Sequence, residues 1–413
     1  MSERDANGRP RVVIVGGGIA GLEAALALHH LAPDAAQLTL VAPEPEFHYK
    51  PMVVLEPFSR QPARRHELAP ALEQLGGRFV KAALVGVHPD EHAIELAGGE
   101  RLGYEMLIVA VGGRARPAYE GADTFWAARG DLPIDEVLER AAGHPSRTLA
   151  FVVPPGCSWP LPLYELALMT RRRCEEGGPY GVSLLLVSPE QSPLAVFGVA
   201  PSQELAELLR ARAIDFEPFR SVVERGGKLL RLPGGKPLEA GAVVALPTIE
   251  GPGVHGLPAD DHGFVPIDEQ ARVIGVEDVY AAGDGTDFPV KQGGIATQQA
   301  DAAAEHIASR LGAAVHPTRF RPVLRGQLIT GADSLHMKHE LAGGRGAGAA
   351  SLDCLWWPPG KVAGRFLAPW LAGTTPAESL EPPSRPLDVE VALPLDWHGS
   401  PMAMGGHPNP VDA

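Results

Sequence analysis

The chain has 413 residues, 45% of them hydrophobic and 21% charged, with a net charge of −14. That apolar share supplies two or three large cores, and the acidic balance excludes a general affinity for nucleic acid through global charge. Three cysteines, Cys157, Cys174 and Cys354, exclude a disulfide framework, a four-cysteine zinc site and an iron–sulfur cluster, so no metal centre is expected. Residues 1–10 are polar, without the apolar stretch of a signal peptide, and read as a short disordered lead. Together with the scarce cysteines this points to the cytoplasm. No apolar run is long enough to cross a bilayer.

RVVIV at 11–15 is a β-branched apolar run, the mark of a buried parallel strand. GGGIAG at 16–21 follows at once. Leu22, Ala25, Leu26 and Leu28 then keep helical spacing to about Leu31, and Pro33 stops the helix. QLTLVA at 37–42 is the next strand. Gly16-x-Gly18-x-x-Gly21 between strand and helix is a dinucleotide loop: Gly16 for the turn, Gly18 for approach to a pyrophosphate, Gly21 for helix–strand packing. Ala20 lies in the first helical turn, whose free N–H groups face the phosphates. The strand ends at Ala42, so the carboxylate nearest the place of a ribose is Glu44, beyond Pro43.

Short strands are expected near 78–87 and 92–97, then a buried strand in MLIVAVGG at 106–113, where Ala110 and Gly112 form a small-residue turn. A second strand–helix–strand unit starts at 148: TLAFVV, a helix from Pro162 to Cys174, then VSLLLVS at 182–188. A helix at 202–213 and strands around 222–246 complete it. DVYAAGD at 278–284 is again a buried strand, ending in Gly283 and Asp284, and an Ala-rich helix follows over 293–310. The fold class is α/β, with two doubly wound, Rossmann-like dinucleotide-binding domains, the second inserted in the first. The boundaries are 11–115 with 255–325 for the first domain and 116–254 for the second. A C-terminal segment spans 326–372, and 373–413, with eight prolines, reads as a tail.

GGGIAG, MLIVAVGG and VYAAGD, in this order, resemble the FAD half of the two-dinucleotide-domain flavoproteins. FHYKPM at 47–52, PPGCSWPLPLYE at 154–165 and FPVKQGGIATQQ at 288–299 resemble the sulfide:quinone oxidoreductase and type II NADH dehydrogenase branch of that superfamily. The resemblance implies FAD in the first domain, with Asp284 bonding its ribitol chain. It implies Lys291 and Gln292, at the start of helix 293–310, beside the flavin N1/C2=O edge. It also implies a quinone acceptor near Gln298 and Gln299, and Cys157 at the position of one redox cysteine. The partner cysteine is missing from RGQLITG at 325–331, which speaks against a persulfide relay. In the second domain PPGCSWP keeps only Gly156 of a glycine loop, which speaks against NAD(P)H in its usual pose. Ser188-Pro189-Glu190 ends the next strand, where an acid holds a ribose.

Three of the six tryptophans fall in CLWWPPGKVAGRFLAPWL at 354–371. Read as a helix over 360–371, Val362, Phe366 and Trp370 share one face between Lys361 and Arg365, which suits a membrane interface at the inner face of the cell membrane. Packing on the core or on a second copy of the chain is the alternative. The expected activity is an FAD-dependent oxidoreductase reducing a quinone-type acceptor from an open donor, NAD(P)H or a sulfide-like reductant. A flavin-bound redox sensor and an oxidase using oxygen are the alternatives.

Overall fold

The computed structural model describes residues 8–58, 63–125, 132–177, 181–341, 348–376 and 380. Most of the lead and most of the tail lie outside these residues. A parallel sheet of five strands runs in the order Val279–Ala281, Met106–Val109, Arg11–Val15, Gln37–Ala42, Arg78–Lys81. Its central strand is apolar at every inner position because both faces are covered: Val12, Val13 and Ile14 are fully buried. Helix Ile19–Leu31 lies against helix Gly293–Arg310. Alanines on both, among them Ala24, Ala27, Ala300 and Ala303, join the core and let the two backbones approach.

The chain leaves this sheet through Arg114–Arg116 and returns through Thr248–Glu250, and the two crossings pair antiparallel. Between them a second parallel sheet runs Asp123–Thr124, Ala242–Ala245, Thr148–Val152, Ser183–Val187, Ile214–Glu217. Each sheet carries a three-stranded antiparallel meander, at 84–103 and 221–237 respectively. This is the expected α/β architecture of two parallel, doubly wound sheets. A last antiparallel sheet, Val323–Leu328, Leu335–Glu340 and Ala349–Ser351, packs beside helix Leu161–Glu175.

The C-terminal segment departs from the expected interfacial helix. Helix forms only over Leu367–Ala372. Pro358, Pro359, Gly360 and Gly364 disfavour it earlier. Trp356, Val362, Ala363 and Phe366 are buried at 2% exposure or less, so the apolar face is spent on the protein's own core. Trp357, 45% exposed, and Leu352, 68% exposed, are the apolar side chains left outside in this region. Among the described residues no helix is long and apolar enough to cross a membrane.

Candidate functional site

The site begins where strand Arg11–Val15 turns into helix Ile19–Leu31. Gly16 has φ +117°, and a Cβ there would stand 2.2 Å from the Ala110 carbonyl oxygen. A Cβ on Gly21 would stand 1.8 Å from the Gly16 carbonyl oxygen. Both positions are closed to any side chain. At Gly18 nothing lies within 4 Å, because this residue faces a cavity of about 810 Å³. No side chain caps the helix at Gly18, so its first N–H groups are free to meet an anion.

Gly16, Gly18, Ala20 and Glu44 line the cavity. Ala110, Gly112, Gly283, Asp284, Lys291 and Gln292 line it as well. Gly21 packs behind the loop. The Asp284 carboxylate has no hydrogen-bond partner among the described residues. Burial raises its pKa, with Lys291 and Lys50 pulling the other way. An open glycine at a free helix start and an unpartnered carboxylate on one cavity fit a dinucleotide, phosphates at the first and a sugar hydroxyl at the second. FAD meets both requirements.

Lys291 lines the cavity, but its ammonium is engaged. Nζ donates to the carbonyl oxygens of Thr286 at 2.5 Å and Phe288 at 2.7 Å, and sits 3.7 Å from the centroid of the Phe264 ring. Burial lowers its pKa to about 8. It pins the loop after Asp284 rather than offering a free charge. Gln292 caps its helix: Oε1 accepts from Ile295 N–H at 2.9 Å and Nε2 donates to Arg325 O at 3.0 Å.

Gln298 and Gln299 differ from the expectation of an acceptor site. Neither lines the cavity. Gln298 exchanges both of its amide groups with the Val323 backbone, at 2.9 Å each. Gln299 Oε1 accepts from Gly283 N–H at 2.8 Å, and its Nε2 donates to Thr286 Oγ1 at 3.1 Å. Gln299 thus sets the backbone next to Asp284. Cys157 also lies outside the cavity lining, and burial pushes its thiol up to about 12. Cys157 is only partly buried, but a thiol held in its neutral form is a poor nucleophile.

The second domain's loop is filled by its own side chains. Trp159, Leu161 and Pro162 reach into the same cavity. Glu190, the acid expected at a ribose, is turned inward and 7% exposed. It accepts from Tyr164 OH at 2.7 Å and Ser188 Oγ at 2.9 Å. A ribose would have to break this network.

Two partners were not legible in the sequence. Lys361 lines the cavity and donates to Glu165, with 7% and 0% of the two side chains exposed. Lys361 also donates to Gln327 O at 3.2 Å, and Glu165 accepts from Ile329 N–H at 2.8 Å. Burial raises Glu165 and lowers Lys361, and their mutual attraction opposes both shifts. A signal existed: Glu165 interrupts LPLYELAL, as Glu23 interrupts IAGLEAAL, and a charge inside an apolar helical run has a buried partner.

Residues 10–143 match the family described as pyridine nucleotide-disulphide oxidoreductase. The chain is 27% identical over 218 residues to sulfide-quinone reductase of Aquifex aeolicus (strain VF5), covering 50% of each chain. The match therefore spans half the length of that relative. Over 377 residues it is 25% identical to alternative NAD(P)H-ubiquinone oxidoreductase C1, chloroplastic/mitochondrial, of Arabidopsis thaliana, covering 78% of this chain and 72% of that protein. The X-ray structure of the Aquifex aeolicus sulfide:quinone oxidoreductase superposes with a TM-score of 0.71 at 22% identity, covering 80% of this chain and 84% of that one. The resemblance drawn from the motifs holds: the chain is similar in sequence to a sulfide-quinone reductase and to an alternative NAD(P)H-ubiquinone oxidoreductase, and it shares the fold of the former.

Proposed function

We propose that this protein is an FAD-dependent oxidoreductase that passes electrons to a quinone-type acceptor. One observation carries the reading: a single cavity runs from the open glycine loop and Asp284 to the buried Lys361–Glu165 pair. FAD, when bound, supplies the two-electron centre. The chain's own groups do the rest. The helix start at Gly18 presents N–H groups to the diphosphate. Asp284 accepts a hydroxyl from the sugar chain. Lys361 and Glu165 keep a proton at the cavity wall, on a pair whose charges burial disfavours. A quinone taking up two electrons takes up protons as well, so a held proton there suits that acceptor.

The inward Glu190 and the prolines of PPGCSWP argue for a donor other than NAD(P)H in its usual pose. The same two features favour the second reading, a flavin-bound redox sensor with little turnover. For a quinone acceptor the protein lies peripherally on a membrane, touching it through exposed residues such as Trp357 and Leu352 rather than through a helix over 360–371.

The test is anaerobic bleaching of the purified yellow protein by NADH, NADPH and sulfide in turn, then reoxidation by a soluble quinone. Bleaching by one donor and prompt recolouring by quinone is the expected result. Colourless protein that refuses added FAD overturns the reading. Bound FAD that no donor bleaches favours the sensor.

A further inference from the structure

Residues 361–367 form a strap that begins at the cavity wall and runs onto helix Ile19–Leu31. Lys361 and Val362 line the cavity. The strap is held by side chains of both domains. Lys361 donates to Glu165, Val362 N–H donates to Tyr49 OH at 3.0 Å, and Thr297 Oγ1 donates to Ala363 O at 3.1 Å. Arg365 donates to Glu305 at 2.7 Å. The two oxygens of Glu23 accept the N–H groups of Phe366 at 2.9 Å and Leu367 at 2.6 Å. Gly364 leaves room for this carboxyl: a Cβ there would stand 2.8 Å from Glu23 Oε2.

Glu23 is fully buried in the apolar helix Ile19–Leu31. The carboxyl of Asp301, on the facing helix Gly293–Arg310, is in hydrogen-bond contact with it. One Asp301 oxygen is buried without a partner. The neighbouring cation, Arg365, is spent on Glu305, whose other oxygen accepts from Thr318 N–H and Oγ1. His30, on the Glu23 helix, packs on the Phe366 ring at 5.4 Å between centroids. Two neighbouring carboxyls, Glu23 fully buried and Asp301 with one oxygen buried, cannot both ionise cheaply. A proton on Asp301 makes it a donor to Glu23, which then keeps both oxygens for the strap.

We propose that Glu23 and Asp301 share one proton, and that this proton latches the strap 361–367 at the cavity wall. Losing it sets two negative charges against each other beneath Phe366 and Leu367 and releases the strap. Burial raises Glu23 from 4.5 to about 7, against the amides of Phe366 and Leu367, and it raises Asp301 well above its ordinary value, with the Glu23 charge adding to that. The protonated pair is thus the form the closed strap prefers. Closure is firmest in acid, weakens as pH climbs from 4.5, and weakens further through about 7. Glu23 is a positioning residue, because it holds the backbone that carries Lys361. The consequence for Lys361 chemistry rests on the proposed function, whereas the latch does not.

Hydrogen exchange of the full-length protein, read by mass spectrometry at pH 5.5, 7 and 8.5, tests this without any turnover. Protection of residues 362–372, corrected for the intrinsic exchange rate, falls at least about tenfold over that range, while strand 11–15 stays constant. Asp301→Asn donates to Glu23 without titrating, so its strap changes little between pH 7 and 8.5, where the wild type's goes on loosening as the Asp301 proton leaves. Glu23→Gln loses one of the two acceptors, giving low, pH-independent protection. A flat wild-type profile overturns the latch, and so does an Asp301→Asn strap that loosens with pH as the wild type does. If Asp301→Asn fails to fold, the wild-type profile decides alone.

Discussion

Lys361 and Glu165 lie 196 positions apart in the chain and meet as a buried ion pair on the wall of the cavity. Removing one partner leaves the other charge stranded. Lys361→Met is expected to cost about 3–5 kcal/mol in urea unfolding, and adding Glu165→Leu to recover most of it. Reoxidation of the flavin by quinone slows most in the double variant, which has neither group to hold a proton, because Glu165 without Lys361 is pushed further up and still carries one. A double variant with wild-type reoxidation would remove this pair from the chemistry.

Two glycines of one loop separate folding from cofactor binding. Gly21→Ala drives a methyl into the Gly16 carbonyl and is expected to unfold the first domain or abolish its expression. Gly18→Ala meets no protein atom, so its thermal midpoint without FAD stays within a degree or two of wild type. Its FAD affinity drops tenfold or more, at about 1.4 kcal/mol per tenfold, because the methyl stands where the diphosphate approaches. Titration with FAD, followed by flavin fluorescence, reads this difference.

Asp284→Asn trades binding for stability. The carboxylate is half-buried on the cavity wall, without a hydrogen-bond partner among the described residues, and desolvation raises its pKa. A raised pKa means that its ionisation costs stability as pH rises from about 3.8 toward the folded value, and the cost persists at neutral pH. The variant is expected to gain about 0.5–2 kcal/mol at pH 7 without FAD, to lose that gain below pH 4, and to bind FAD more weakly. Denaturation at pH 4 and pH 7 checks the sign.

Cys157 is expected to be inert. Burial pushes its thiol up to about 12, so the thiolate is scarce at pH 8. Labelling by a thiol-specific disulfide reagent is correspondingly slow in the folded protein and fast in urea. Cys157→Ser leaves flavin bleaching by sulfide unchanged. Loss of bleaching in that variant would restore the thiol to the mechanism.

Gln298 and Gln299 show where motif reading stopped. Adjacent glutamines at the start of a helix beside a flavin look like acceptor ligands in sequence. The structure gives one to strand Val323–Leu328 and the other to Gly283 and Thr286. Side-chain amides are satisfied by whichever backbone passes nearest, and that backbone belongs to elements folded against the helix.

The sequence by itself determined the local chemistry. The strand–loop–helix at 11–31 and the helix 293–310 were legible because their signals, β-branched runs and glycine spacing, act over a few residues. Tertiary structure decided what the long-range partners do. Phe366 and Leu367, 343 and 344 positions from Glu23, donate to its oxygens, and that decided between the two open readings of 360–371, packing on the core and not a membrane helix. Glu190 went inward because Tyr164 and Ser188 face it across the second domain. A buried charge must find its partner wherever the fold brings one, and no local pattern encodes that distance.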